Sequence, residues 1–220
     1  MEDVKKLLLE LHDLGAVKLG EFKLRSGLLS PIYFDLRKTV FYPDLVIEVS
    51  RLLYKHAKEA EVKFDCVCGV PYTALPLATV ISTTNKCPML IRRKEPGDYG
   101  EKQIEGVIKA GDVCLIVEDV VTSGSSVLET ARLLEKEGLK VKDAVVLLDR
   151  EQGGRHMLES EGITLHPVFT ISTLLDVLLD AGRIDPDTRT SVKTFIEGNQ
   201  TFTKPPGNSS LRVEEEETKI

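Results

Sequence analysis

Apolar positions change their spacing several times along the chain, and each change marks an element. Val4, Leu7, Leu8, Leu11 and Leu14 recur at helical spacing, and Gly15 stands where such a helix would stop. Over residues 21–37 the pattern breaks into short extended pieces around Ser26-Gly27 and Pro31. Pro43 suits the first turn of a second helix, with Leu45, Val46, Val49, Leu52, Leu53 and His56 on one face. From residue 64 the rhythm becomes regular. Residues 64–70, 89–91, 113–117, 141–148 and 164–170 read as short apolar strands. Residues 75–84, 126–137 and 154–161 between them read as helices, the second halted by Gly138. Strands apolar on every position are covered on both faces, and their alternation with helices implies crossover connections. The expectation is an α/β fold with a doubly wound, mostly parallel sheet, which binds ligands beyond the carboxyl ends of its strands.

Composition narrows the class without changing that picture. The 220 residues are 42% hydrophobic and 29% charged, ordinary for a globular chain. The net charge of −6 and the lack of a basic stripe argue against a nucleic-acid partner. No apolar run reaches the ~18 residues of a membrane span. The opening Met1-Glu2-Asp3-Val4-Lys5-Lys6 is too charged for a secretory leader. Cys66, Cys68, Cys87 and Cys114 lie in or beside apolar runs and read as reduced thiols of a cytoplasmic protein.

Two stretches stand apart from the core. Residues 92–106 are polar, with Gly97, Gly100 and Gly106 among them, and a loop that long in a compact domain has a function or is disordered. Residues 199–220 carry Pro205-Pro206-Gly207 and an acidic run from Glu214 to Glu217, which predicts a disordered tail or linker. One domain over 1–198, with a small amino-terminal hood at about 1–40, accounts for the remainder.

The sharpest chemistry lies at 114–126. An apolar strand runs into the paired acids Glu118 and Asp119, then into Val120-Val121-Thr122-Ser123-Gly124-Ser125-Ser126, where a helix begins. Small residues let backbone N–H groups approach a ligand, and a helix amino terminus favours a phosphate there. The loop lacks the lysine of a nucleoside-triphosphatase loop. Carboxylates repel phosphate, yet they accept hydrogen bonds from a sugar diol or help hold a metal. An acid pair beside a phosphate cradle therefore points to a sugar phosphate.

With those residues in view, the segment closely resembles the phosphoribosyl-pyrophosphate signature of the type I phosphoribosyltransferases. The runs 22–27, 30–35, 69–78, 92–95 and 147–154 resemble orotate phosphoribosyltransferases, most of all the amino-terminal halves of animal bifunctional uridine monophosphate synthases. The likeness spans about residues 1–197. It implies transfer of phosphoribosyl from phosphoribosyl pyrophosphate to orotate, giving orotidine 5′-monophosphate and pyrophosphate, in de novo pyrimidine synthesis. Glu118 and Asp119 would contact the ribose, and Val120, Val121, Thr122, Ser123, Gly124, Ser125 and Ser126 would wrap the 5′-phosphate. Arg25, Tyr72, Thr73, Arg93 and Lys94 would serve the donor's pyrophosphate end. Tyr33, Phe34, Thr122 and Arg150 would hold orotate, and the planar guanidinium of Arg150 independently suits a planar carboxylate ligand. Catalysis would fall to Arg93, Lys94, Tyr99 and Asp119.

The same resemblance makes loop 92–106 a lid that acts on the neighbouring subunit of a homodimer, with cations from Arg92, Arg93, Lys94 and Lys102. Mg²⁺ would be held mainly by substrate oxygens, with Asp119 reached through water, and no side chain would bind it directly. A decarboxylase for orotidine 5′-monophosphate would be a fused or separate partner. The chain departs from the family at Arg25, where lysine is usual, and at Thr73 and Tyr99, which follow the animal pattern. Gly97 replaces the lysine expected in the lid. A weak donor-binding regulator, or a transferase for another base, are the alternatives this leaves.

Overall fold

The computed structural model describes residues 2–23, 27–94 and 103–201. Arg25, Gly97, Tyr99, Gly100 and Lys102, and the tail from 202 onward, lie outside the described residues. The chain runs α1 (Glu2–Asp13), β1 (Val17–Lys23), β2 (Leu29–Phe34), a 3-10 helix (Leu36–Phe41), α2 (Pro43–Glu59), β3 (Cys66–Gly69) and α3 (Ala74–Asn85). It continues through β4 (Met89–Arg92), β5 (Ile104–Glu105), β6 (Cys114–Val121), α4 (Ser125–Lys136), β7 (Asp143–Asp149) and α5 (Gly154–Ser160). The last elements are β8 (Thr164–Thr170), α6 (Ile171–Asp180) and α7 (Pro186–Gly198).

Six strands form one sheet in the order β5-β4-β3-β6-β7-β8, parallel except for β5 at the edge. Strands β1 and β2 pair antiparallel in a small separate sheet. This is the α/β, doubly wound arrangement expected. The two-residue period of the strands divides the core. Val67, Leu115, Val117, Val145 and Leu147 pack on one side with Leu7, Leu8 and Leu11 of α1, Leu53 of α2 and Leu174 of α6. Cys66, Cys68, Ile116, Ala144 and Val146 pack on the other with Val127, Ala131 and Leu134 of α4 and Leu158 of α5. Such side chains contribute about 1.5–3 kcal/mol each when fully buried. All four cysteines are free thiols, and burial pushes the Cys68 thiol up to about 12, so it stays neutral.

Topology places the site. From β3 the chain turns through α3 to β4; from β6 it turns the opposite way through α4 to β7. The carboxyl ends of β3 and β6 diverge there, which opens the crevice where such sheets bind ligands. Gly69 ends β3 because α3 passes close: a Cβ at that position would lie 2.6 Å from the Ala74 carbonyl oxygen.

The elements differ from expectation in three places. Strand β6 does not end with the apolar run at 117. It continues to Val121, because Glu118 and Val120 still pair with Val146 and Leu148 of β7. The long loop at 92–106 is pinned at both ends, since Ile91 and Arg92 pair with Glu105 and Ile104. Helices α6 and α7 follow β8 and join the face that carries α1 and α2, which the spacing had not suggested.

Candidate active site

Strand β6 delivers Glu118 and Asp119 to the crevice. Glu118 is 6% exposed, and its Oε1 accepts the Asp119 N–H at 2.9 Å. Burial, then the facing Asp119 carboxylate, push the Glu118 carboxyl well above its usual range. Burial also raises Asp119, against hydrogen bonds from Glu118, the Val120 N–H and the Thr73 hydroxyl. Both shifts oppose full ionisation of the pair, and hydroxyl donors such as those of a ribose diol would offset that.

Beyond the acids, Gly124 takes φ +82° and starts α4 with no side chain capping its first turn. Among the described residues, the one side-chain acceptor facing that turn's N–H groups is Ser123 Oγ, 3.4 Å from Ser125 N. The Ser123 and Ser125 hydroxyls stand 3.0 Å apart on the same rim. A helix amino terminus with hydroxyls beside it is the kind of place that suits an anion. Gly154 closes the rim from behind. A Cβ there would meet Val121 Cγ1 at 2.5 Å and the Thr122 carbonyl at 2.6 Å, and its own N–H donates to Thr122 O at 2.9 Å.

The same loop touches the residues expected to read the base. Arg150 donates its backbone N–H to Val121 O at 2.9 Å, and its Nη1 to Thr122 Oγ1 at 3.3 Å. The guanidinium carbon lies 5.5 Å from the Phe34 ring centroid. Thr122, Arg150 and Phe34, from three distant parts of the chain, thus converge. Tyr33 points to the other face of β2, where its ring centroid is 5.6 Å from that of Phe22. The Arg150 segment is braced by residues that the sequence reading did not single out. Asp149 is buried, accepts the Glu151 N–H at 2.8 Å and faces Arg155 Nε at 3.4 Å. Gln152 Nε2 donates to Asn199 O at 2.8 Å, and Thr201 N donates back to Gln152 O at 2.9 Å. The polar run 149–152 was the only signal for these contacts.

At the carboxyl end of β3, Tyr72 is exposed, and Lys94 Nζ stands 5.8 Å from its ring centroid. Thr73 lies close enough to Asp119 for its hydroxyl to favour the charged carboxylate. Arg93 lies beside Glu105 at 3.4 Å, and its N–H donates to Gln103 O at 2.8 Å. Arg92 corrects the expectation of a fourth lid cation. It is 4% exposed and directed into α4, because it is an inward position of β4. Depressions of about 550 and 480 Å³ lie elsewhere, beside α1 and α7 and at the amino ends of the strands, and share no residue with this crevice.

Among the described residues no group of three or more His, Cys, Asp or Glu side chains is arranged to hold a metal ion. A partly exposed Asp119 beside this loop suits an ion that it would reach through water and whose direct ligands would be oxygens of a bound diphosphate.

Comparison with known proteins gives this crevice its class. A model of the phosphoribosyl transferase domain matches residues 41–176, and the chain belongs to that family. Within it, the chain is a member of the orotate phosphoribosyltransferase group. It is 36% identical over 193 residues to orotate phosphoribosyltransferase of Chlamydia caviae, covering 86% of this chain and 93% of that one. It is 53% identical over 211 residues to uridine 5′-monophosphate synthase of Bos taurus, covering 96% of this chain. The chain spans only 44% of that relative's length. The structure of Leishmania donovani UMP synthase superposes with a TM-score of 0.78 at 34% identity, over 88% of this chain and 42% of that one.

Proposed function

We propose that this chain transfers phosphoribosyl from phosphoribosyl pyrophosphate to orotate in uridine monophosphate synthesis. The observation that carries the reading is the meeting of Thr122, Arg150 and Phe34, which joins a small-residue loop at a helix terminus to a planar cation beside an aromatic ring. In this reading the 5′-phosphate sits on the α4 terminus, Glu118 and Asp119 grip the ribose diol, and Arg150 pairs with the orotate carboxylate. N1 of orotate attacks C1′ as the C1′–O bond to pyrophosphate breaks, with inversion. The pyrophosphate carries the electron pair away, towards Tyr72, Thr73 and Lys94. The protein contributes alignment and a fixed electrostatic field, and no covalent intermediate is needed. Asp119 would hold Mg²⁺ through water, and the ion would supply positive charge to neutralise the diphosphate.

The reading extends to a cytoplasmic homodimer in which loop 92–106 closes over the neighbouring subunit's site and excludes water. Residues 1–198 act as the transferase unit and 199–220 as a tail or linker, with an orotidine 5′-monophosphate decarboxylase as a fused or separate partner. Loss of orotate absorbance in the presence of donor and Mg²⁺ tests the activity. Turnover of orotate with none of adenine or hypoxanthine is expected; turnover of a purine, or donor binding without any turnover, would overturn it.

A further inference from the structure

Arg92 ends β4 immediately before Arg93 and Lys94, yet its side chain belongs to a different neighbourhood. Its Nη1 donates to Thr130 Oγ1 at 2.8 Å and to the Ser126 carbonyl at 3.3 Å. Its Nη2 lies 2.7 Å from Glu129 Oε2. The Thr130 hydroxyl in turn donates to Ser126 O at 2.7 Å. Residues 126, 129 and 130 lie on one face of the first turns of α4, so one guanidinium grips the stretch of helix on which the phosphate loop is mounted.

Packing alone does not require a charge here. A buried guanidinium carries a desolvation cost of several kcal/mol. Its counter-ion Glu129 has a side chain 62% exposed and screened by water, so it offsets little of that cost. Arg92 Nε is buried with no hydrogen-bond partner among the described residues. An unbranched apolar side chain would fill the same space without these costs. What the cation supplies is a full positive charge beside the amino terminus of α4, in low dielectric, which also favours the charged form of Glu118 and adds to the helix dipole where an anion is to bind.

Resting on the donor-binding reading above, we propose that Arg92 is a positioning residue for the donor's 5′-phosphate. From beside the first turn of α4 it holds the loop 122–126 in its phosphate-binding shape and strengthens its field, without itself touching the phosphate. Because it also terminates β4, it ties the root of the lid to the cradle.

Arg92→Met, Arg92→Lys and Thr130→Val test the idea. Ribose 5-phosphate binding is followed by calorimetry without orotate, and KM for each substrate by steady-state rates. Arg92→Met should weaken ribose 5-phosphate about tenfold and raise the donor KM similarly, as loss of a charge at a helix terminus predicts. The orotate KM should stay within about twofold, and Arg92→Lys should recover part of the loss. Unchanged ribose 5-phosphate affinity in Arg92→Met overturns the proposal. So does an equal loss in Lys and Met variants, or an equal rise in both KM values, since these mark a purely structural role. If Arg92→Met does not fold, Thr130→Val decides. That variant must weaken ribose 5-phosphate by about threefold or more, and no change overturns the role. If the wild-type chain binds ribose 5-phosphate but turns over no orotate, the catalytic reading fails while this one stands.

Discussion

Removing the Arg150 guanidinium while keeping its stem separates charge from packing. Arg150→Met preserves contact with Phe34 but loses the carboxylate partner, so the orotate KM should rise about tenfold or more, the cost of a charged hydrogen bond. Arg150→Lys should recover little, because a point charge on a flexible stem cannot replace a planar fork. Steady-state rates at varied orotate check both. Glu118 makes a different prediction. Its carboxyl sits well above its ordinary 4.5 when folded, mainly through burial. A group that holds its proton more tightly in the folded chain favours folding most below the ordinary value. That contribution is lost as pH rises through the folded value. Glu118→Gln keeps the oxygen that accepts the Asp119 N–H and removes the titration. Its melting temperature near pH 8 should exceed wild type by about 2–4 °C, with the difference vanishing near pH 4. Activity should fall, since the ribose loses an acceptor. At this scale the acids and the small-residue loop were legible in the sequence, because they combine unusual chemistry with a strand end, whereas Arg150 stood out only through the family motif around it. The inward turn of Arg92 was not: four neighbouring cations look alike until strand parity is known.

The segment β6–α4 was readable as an element because an apolar run, two acids and a glycine follow in order. Its end was misjudged by four residues, from 117 to Val121, since backbone pairing with β7 continues under polar side chains. Helix α6 escaped notice for a related reason. Thr170 is both the last residue of β8 and the cap of α6, accepting the Thr173 N–H, so no turn signal separates them. Helix α7 did carry a signal, Asp185-Pro186: Asp185 caps Thr188 N and Pro186 opens the helix. The link from Asn199 and Thr201 to Gln152 was unreadable, because it joins segments far apart in sequence. It has a consequence for the base site. Ending the chain at 198 removes these bonds to the loop that carries Arg150. The orotate KM should rise about threefold to tenfold, for one or two hydrogen bonds lost, with the donor KM unaltered. Equal KM values in the shortened chain would show that the contact is idle.

For the whole molecule, the doubly wound sheet brings β3 and β6 to one crevice from opposite directions of winding, and every described residue proposed to bind the donor comes from their carboxyl ends or from the hairpin of β4 and β5. A lid that serves a neighbouring subunit predicts complementation. Lys94→Ala and Asp119→Asn should each be nearly inactive alone. Mixed and allowed to exchange subunits, they should regain about a quarter of wild-type activity, because mixed dimers hold one intact site. No recovery on mixing would confine each lid to its own subunit.

The account rests on one arrangement, in which β6 and the turn into α4 hold ribose and phosphate while Arg150 reads the base. A crystal of the chain with orotidine 5′-monophosphate tests it most directly. The phosphate should lie against the backbone of residues 122–126, the ribose hydroxyls against Glu118 and Asp119, and the orotate carboxylate beside Arg150. A nucleotide bound with its phosphate away from the α4 terminus, or its base away from Arg150 and Phe34, would contradict the account.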